Sequence, residues 1–335
     1  MDRKLRMNKI AWAVDPYENR QDLKNKVSQI LMCFEKQSSV EVYPIHVLNQ
    51  PLWSYSPIEN EIFEKERLRA TEDNLQWIVD SFGFESVKKP VILRQTGASV
   101  SSSVDLLCEY LDKENFDLVI VGTHGRSGFK RFVMGSFAET LLLRSALPVL
   151  VIGAKNEGLS KMDHVLFPTE LDDSSEEIFR EVVGFCKDMG SRLTLFHSVM
   201  RPEDFGLEYN VGYLSQEPAG GALSLSQMFE TELQRKRDKA QAWVDWGRYR
   251  QVDTNFILES SSKSIDECIC RSADEKKADL IVMESHTGPL EAALIGSTTR
   301  KVVRQSKCPV LVLSKNLLEL APAKAEVWPQ LYPTH

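Results

Sequence analysis

Residues 117–125, Asp117-Leu-Val-Ile-Val-Gly-Thr-His-Gly125, are an apolar run that passes directly into a glycine-rich loop. The run predicts a buried β-strand, and the loop ends at Gly135-Ser136, where the apolar segment 137–144 predicts a helix. A strand, a glycine loop and a helix start in this order bring backbone N–H groups and the positive end of a helix dipole to one small volume. Such a volume favours phosphate.

The same order of elements occurs twice in the chain. The strands are continuous apolar runs rather than alternating ones, which is typical of a parallel sheet covered by helices on both faces. We therefore predict an α/β protein with two tandem, doubly wound domains, each built on a five-stranded parallel sheet. The corresponding segments are Lys9–Asp15 and His164–Glu170, Asp117–Val121 and Asp279–Met283, and Leu147–Ile152 and Cys308–Leu313.

Length and composition agree with two globular domains. The 335 residues divide into domain 1 (1–153), a linker (154–161), domain 2 (162–314) and a C-terminal tail (315–335). The net charge of −7 argues against a nucleic-acid partner. With neither a signal-peptide apolar region nor an apolar run near 18 residues, we expect a cytoplasmic protein without a membrane span. The six scattered cysteines predict reduced thiols, and we predict no metal site.

With the repeat and the loop in hand, the sequence resembles the universal stress protein family in its tandem form. The family motif Gly-x2-Gly-x9-Gly-[Ser/Thr] is matched without a gap by Gly122, Gly125, Gly135 and Ser136. The resemblance implies a Rossmann-like fold and an internal pseudo-dimer, in which the last strands of the two domains pair edge to edge.

In the ATP-binding branch of that family, the resemblance implies a role for each matching residue. Asp15 approaches the ribose or adenine, Val47 and Val121 contact the base, and the glycine loop holds the phosphates. Ala13 stands where many members have proline. ATP is the expected ligand, with ADP, AMP and an accompanying Mg²⁺ left open, and no catalytic residue is predicted. The residues expected to bind the nucleotide are Ala13, Asp15, Val47, Val121, Gly122, His124, Gly125, Gly135, Ser136, Phe137 and Ala138.

The corresponding loop of domain 2 has lost this pattern. Glu284 replaces Gly122 and Thr287 replaces Gly125. Glu284 and Glu291 give this loop a charge of −2, whereas three cations at 126, 130 and 131 give the first loop +3. A carboxylate repels a phosphate by about 1 kcal/mol in water and by several kcal/mol when water is excluded. Domain 2 is therefore not expected to bind ATP by the same route.

Simpler explanations exist for several of these residues. Residues 136–139, Ser-Phe-Ala-Glu, also match a capping box, which would explain the helix start without a ligand. His46 and His197, at equivalent strand positions, are expected to be satisfied by their neighbours. Trp77 and Trp243, at matched helix ends, are expected to be packing anchors.

Three functions follow from these observations. The first is a nucleotide-dependent regulatory protein of the stress response, in which domain 2 pairs with domain 1 and an unknown protein is the binding partner. The second is a slow ATPase or phosphotransferase at the same site, although the chain has no Gly-Lys-[Ser/Thr] phosphate loop. The third is a ligand-free interaction scaffold. The sequence leaves open whether whole chains also form dimers.

Overall fold

The computed structural model describes residues 5, 7–17, 21–35, 39–50, 57–82, 86–97, 99–123, 134–159, 161–199, 225–285 and 296–314. Within these residues, strands and helices alternate along both halves of the chain. Domain 1 contains β1 Lys9–Ala13, α1 Gln21–Glu35, β2 Glu41–Gln50, α2 Pro57–Phe82, β3 Val91–Thr96, α3 Val100–Lys113, β4 Leu118–Gly122, α4 Ser136–Arg144 and β5 Val149–Ile152.

Domain 2 repeats this order of elements. A short 3-10 turn, Asp173–Ser175, precedes its first helix, and Gly190 ends that helix in the left-handed conformation (φ 67°). Glycine adopts this conformation without steric cost. The elements are β6 His164–Pro168, α5 Glu176–Met189, β7 Arg192–Val199, α6 Leu225–Tyr249, β8 Thr254–Ser260, α7 Ile265–Lys276, β9 Leu280–Ser285, α8 Ser297–Gln305 and β10 Val310–Ser314.

All ten strands form one sheet in the order β3-β2-β1-β4-β5-β10-β9-β6-β7-β8. Pairing is parallel within each half, and β5 and β10 pair antiparallel across the middle, with Leu150 opposite Leu311. The expected edge-to-edge pairing of the last strands is therefore confirmed. Each domain covers the open edge of the other, which removes two unpaired rows of backbone groups.

The helices cover both faces of this sheet, as the continuous apolar strands predicted. One buried cluster lies under α1, α2, α5 and α6, and the other lies under α3, α4, α7 and α8. The helix α5 shows how the pattern works, because Ile178, Phe179, Val182 and Cys186 repeat at helical spacing and all are buried.

The two matched tryptophans differ, and the expectation for one of them is wrong. Trp243 is 1% exposed and stacks on Phe179, with ring centroids 4.4 Å apart. Trp77 is 59% exposed, and the Nζ of Lys24 lies 4.6 Å from its ring centroid. Both tryptophans lie near the end of their helix, but the side chain of Trp243 is buried in the core and that of Trp77 is largely exposed.

Candidate functional site

The strand order of domain 1 creates a crevice between β1 and β4. The chain leaves β1 towards β2 on one side, whereas β4 continues towards β5 on the other. In open α/β sheets, ligands bind at such a switch point, outside the carboxyl ends of the strands. A cavity of ≈ 530 Å³ lies there, within the range of about 300–1,000 Å³ that small-molecule sites occupy.

Most of the residues predicted from the sequence line this one cavity. They come from the ends of three strands and from the start of α4. His124 and Gly125, together with the three loop cations, lie outside the described residues. The predicted residues that line the cavity are Ala13, Asp15, Val47, Val121, Gly122, Gly135, Ser136, Phe137 and Ala138.

The start of α4 is not a capping box. Gly135 is the N-cap residue, with φ −62° and ψ 146°, and Ser136 is already the first helical residue. No side chain caps this helix, so the capping explanation for the Gly-Ser pair is wrong. The N–H of Gly135 donates to the carbonyl of Thr123 at 2.6 Å. The N–H groups that follow have no partner within the helix, and Ser136, Phe137 and Ala138 line the cavity.

Gly122, predicted to be part of the phosphate-binding loop, also has a packing reason to be glycine. A Cβ at this position would lie 2.6 Å from Cδ2 of Leu23 in α1. The end of β4 and the first turn of α1 therefore touch at the mouth of the glycine loop.

The end of β1 is held by hydrogen bonds. Asp15 Oδ1 accepts the N–H of Tyr17 at 3.0 Å. Nδ1 of His46 lies 2.9 Å from the carbonyl of Val14, and because a carbonyl only accepts, this nitrogen carries a proton. His46 is satisfied by a neighbour, as expected, and its ring meets that of Tyr17 edge to face at 6.4 Å.

The polar wall of the cavity was not predicted from the sequence. Arg67 of α2 donates to the carbonyl of Asn49 at 2.9 Å, and Ser103 Oγ of α3 lies 2.6 Å from Asn49 Oδ1. Arg67 belongs to the charged run 61–69 of α2, a composition typical of a solvated helix face, yet it lines the cavity together with Lys24. Among the described lining residues, Asp15, Lys24 and Arg67 carry charge, so their formal sum is +1.

The equivalent crevice in domain 2, between β6 and β9, is smaller and acidic. Its volume is ≈ 200 Å³, below the usual range for a ligand site. Glu170 and Glu284 line it and give a formal charge of −2. His197 also lines it, burial lowers the pKa of this imidazole, and its Nδ1 lies 2.7 Å from the carbonyl of Thr169.

Burial disfavours the thiolate form of three of the cysteines. All six are free. Burial raises the pKa of Cys108 and of Cys270 to about 11 and that of Cys308 to about 12, so thiolate is scarce at neutral pH. No group of three or more potential metal-ligating His, Cys, Asp or Glu residues occurs within the described ranges. Likewise, none of the helices described is both long and apolar enough to cross a bilayer.

Comparison with known proteins agrees with this geometry. The sequence pattern of the universal stress protein family matches residues 7–153 and again residues 161–314. The chain belongs to the universal stress protein family. Universal stress protein MJ0531 of Methanocaldococcus jannaschii is 29% identical over 155 residues, which cover 45% of this chain and 81% of that relative.

Solved structures of similar length show the same fold along most of the chain. A universal stress protein from Archaeoglobus fulgidus DSM 4304 aligns with a TM-score of 0.63 at 18% identity, covering 93% of this chain and 98% of that one. The functionally unknown protein PA1789 from Pseudomonas aeruginosa PAO1 aligns with a TM-score of 0.57 at 14% identity, covering 94% and 96%. At these identities the likeness concerns the fold alone.

Proposed function

We propose that domain 1 of this universal stress protein binds one adenine nucleotide, ATP in the first place, and that the chain acts as a nucleotide-dependent regulatory module. The cavity at the β1/β4 switch point carries the proposal. It combines a Gly-Ser helix start without a side-chain cap, an acidic group at the end of β1 and a volume suited to a nucleotide.

The cavity offers different chemistry for the two ends of a nucleotide. Ala13, Val47 and Val121 supply apolar surface, which suits a planar base. Asp15 supplies a carboxylate that can accept hydrogen bonds from ribose hydroxyls. The backbone N–H groups at the start of α4 and the positive end of its dipole suit phosphate.

Domain 2 serves as the structural partner in this proposal. Its crevice has less than half the volume of the first one, and its two carboxylates repel phosphate. The expected stoichiometry is therefore one nucleotide per chain.

An ion pair connects the proposed nucleotide site of domain 1 to a helix of domain 2. Glu139 lies in the first turn of α4, beside the proposed phosphate site, and Nε of Arg300 in the first turn of α8 lies 3.0 Å from its Oε1. A small movement of α4 on binding would change the position of α8. The affinity of a partner protein that contacts both domains would then depend on whether nucleotide is bound.

Calorimetric titration of nucleotide-free protein with ATP tests the proposal. We expect one site per chain and a Kd below about 1 mM, which corresponds to about −4 kcal/mol. The matched variants Asp15→Ala and Glu170→Ala change equivalent positions of the two domains. The first should weaken ATP binding at least tenfold, and the second should leave it unchanged. Two sites per chain, equal effects of the two variants, or no binding at 1 mM would contradict the proposal, and the last result would favour a ligand-free scaffold.

A further inference from the structure

The side chain of Asn49 is held in one orientation at the end of β2. Its Oδ1 accepts the hydroxyl of Ser103 at 2.6 Å. Ser103 Oγ also lies 2.9 Å from the carbonyl of Ser99, but that carbonyl already accepts the backbone N–H of Ser103, and the contact with Asn49 is the shorter one. The main chain of Asn49 is fixed as well, because its carbonyl accepts from Arg67 and the residue pairs with Gln95 in the sheet.

The nitrogen of the same amide is available to a ligand. Because Oδ1 is bonded to Ser103, the two N–H groups of Nδ2 are the remaining donors of this side chain. Within the part of the chain that the structure describes, Nδ2 has no hydrogen-bond partner and is not enclosed by other atoms. Asn49 lines the cavity of domain 1, so a fixed donor is present there before any ligand binds, which reduces the entropy lost on binding.

Asn49 lies at the end of the cavity opposite to the proposed phosphate site. The start of α4 is tied to the end of β4 by the hydrogen bond from Gly135 to Thr123, and β1 separates β4 from β2 in the sheet. Neighbouring strands are about 4.8 Å apart, so the ends of β2 and β4 are about 10 Å apart. A nucleotide whose phosphates lie at α4 therefore brings its base towards the end of β2.

The walls at this end suit a planar base with a hydrogen-bonding edge. Val100, Ser103 and Leu107 follow helical spacing on α3, and all three line the cavity. Val47, which lies two residues before Asn49 and on the same face of β2, lines it too. Among these five residues, Asn49 and Ser103 form the polar pair and the other three are apolar.

Domain 2 has apolar residues at both positions of this pair. Three residues after the equivalent strand histidines, domain 1 has Asn49 and domain 2 has Met200. Counted back from the starts of β4 and β9, Ser103 corresponds to Ile265. The repeated fold therefore does not require an amide and a hydroxyl at these positions, and the pair belongs to the domain with the larger cavity.

We propose that Asn49 is the base-recognition residue of domain 1, whose Nδ2 donates a hydrogen bond to a ring nitrogen of the nucleotide base, and that Ser103 is the positioning residue that fixes the amide. The proposal rests on the nucleotide-binding function given above and adds a specificity to it. Adenine offers N1, N3 and N7 as acceptors. Replacing the one that faces Asn49 by C–H removes the bond.

Calorimetric titration with ATP and with its 1-deaza, 3-deaza and 7-deaza analogues tests this role. We expect the wild type to bind one analogue at least tenfold more weakly than ATP, and Asn49→Ala to bind ATP and that analogue within about threefold of each other. Asn49→Asp keeps the oxygen that Ser103 meets but replaces the donor by an acceptor, so ATP should lose its advantage there as well. Gln95→Ala is the matched control, because Gln95 pairs with Asn49 in the sheet but is not among the described residues that line the cavity, and it should keep the wild-type ratio.

The ratio between two ligands separates recognition from structural damage, because a loss of stability weakens both ligands alike. Ser103→Ala should lower the ratio, and an unchanged ratio would remove the positioning role of Ser103. Equal wild-type affinities for ATP and all three analogues would overturn the role of Asn49, as would a ratio that persists in Asn49→Ala or in the nearly isosteric Asn49→Asp. In either case nucleotide binding itself would stand. Failure of the wild type to bind ATP would overturn both proposals.

Discussion

Replacing Asn156 by alanine should loosen the attachment of the linker to domain 2. Asn156 is 5% exposed, and its side chain bonds in two directions. Its Oδ1 accepts the N–H of Gly153 at 2.5 Å, and its Nδ2 donates to the carbonyls of Ser306 at 3.2 Å and Cys308 at 2.8 Å. These bonds tie the end of domain 1 to the segment that enters β10.

The magnitude follows from the groups that lose a partner. The carbonyl of Cys308 keeps the hydroxyl of Ser306, 2.8 Å away. The N–H of Gly153 and the carbonyl of Ser306 lose the side-chain bonds that Asn156 supplies. A buried polar group left without a partner costs about 1–3 kcal/mol. We therefore expect Asn156→Ala to lower the free energy of unfolding by about 2–6 kcal/mol.

Urea unfolding measures this loss, and hydrogen exchange localises it. The exchange of backbone amides in residues 150–158 and 307–313 should accelerate together in Asn156→Ala. Asn25→Ala is the matched control, because Asn25 is an exposed residue of α1 whose replacement should change stability by less than about 0.5 kcal/mol. Equal stabilities of the two variants, or faster exchange in neither segment, would refute the assigned hydrogen bonds.

Three further predictions concern the interface, the helices and the pH dependence. Glu139 and Arg300 are each the fourth residue of their helix, and their side chains are 28% and 31% exposed. Glu139→Arg and Arg300→Glu should therefore each lower the free energy of unfolding by about 0.5–1 kcal/mol, and the double exchange should recover the loss. Additive losses in a double-mutant cycle would exclude direct pairing. In Gly184→Ala the new methyl group meets nothing within 4 Å, so the substitution should raise the free energy of unfolding by about 0.5–1 kcal/mol. In Gly247→Ala the methyl group clashes with a buried threonine of β8, so stability should fall. Melting temperatures that shift in the same direction for both variants would contradict this difference in packing. Burial, helped by an adjacent guanidinium, lowers the pKa of His164 below its unfolded value of about 6.5. The neutral imidazole therefore contributes fully to stability above that pH, and the free energy of unfolding falls by up to about 1.4 kcal/mol per pH unit as the pH decreases below it. Between pH 7.5 and 5.5 the stability of His164→Gln should depend less steeply on pH than that of wild type, and an equal dependence would show that His164 is not the cause.

Patterns in the sequence predicted the fold and most of the candidate site. Buried parallel strands are continuous apolar runs, and the repeated order of these runs required two domains of one topology. Strand order follows from that topology, and it brings the ends of β1 and β4 together. Nine of the eleven predicted residues line one cavity for this reason.

The errors concern one residue whose environment depends on packing between elements and one helix whose first residue was misplaced. Arg67 looked like one charge in a solvated helix, and it lines the cavity because α2 packs beside β2. The pattern at 136–139 matched a capping box, but the helix starts one residue earlier than that motif requires, with Gly135 as the N-cap. A local sequence pattern limits the structures that a segment can form, and contacts with neighbouring elements determine which of them is formed.

The alternation of strands and helices, the internal repeat and the loss of the glycine pattern in domain 2 are properties of the sequence, because each is visible in short runs of consecutive residues. The antiparallel junction of β5 and β10, the polar wall of the cavity and the contrast between Trp77 and Trp243 are properties of the tertiary structure. They depend on contacts between segments that lie far apart along the chain.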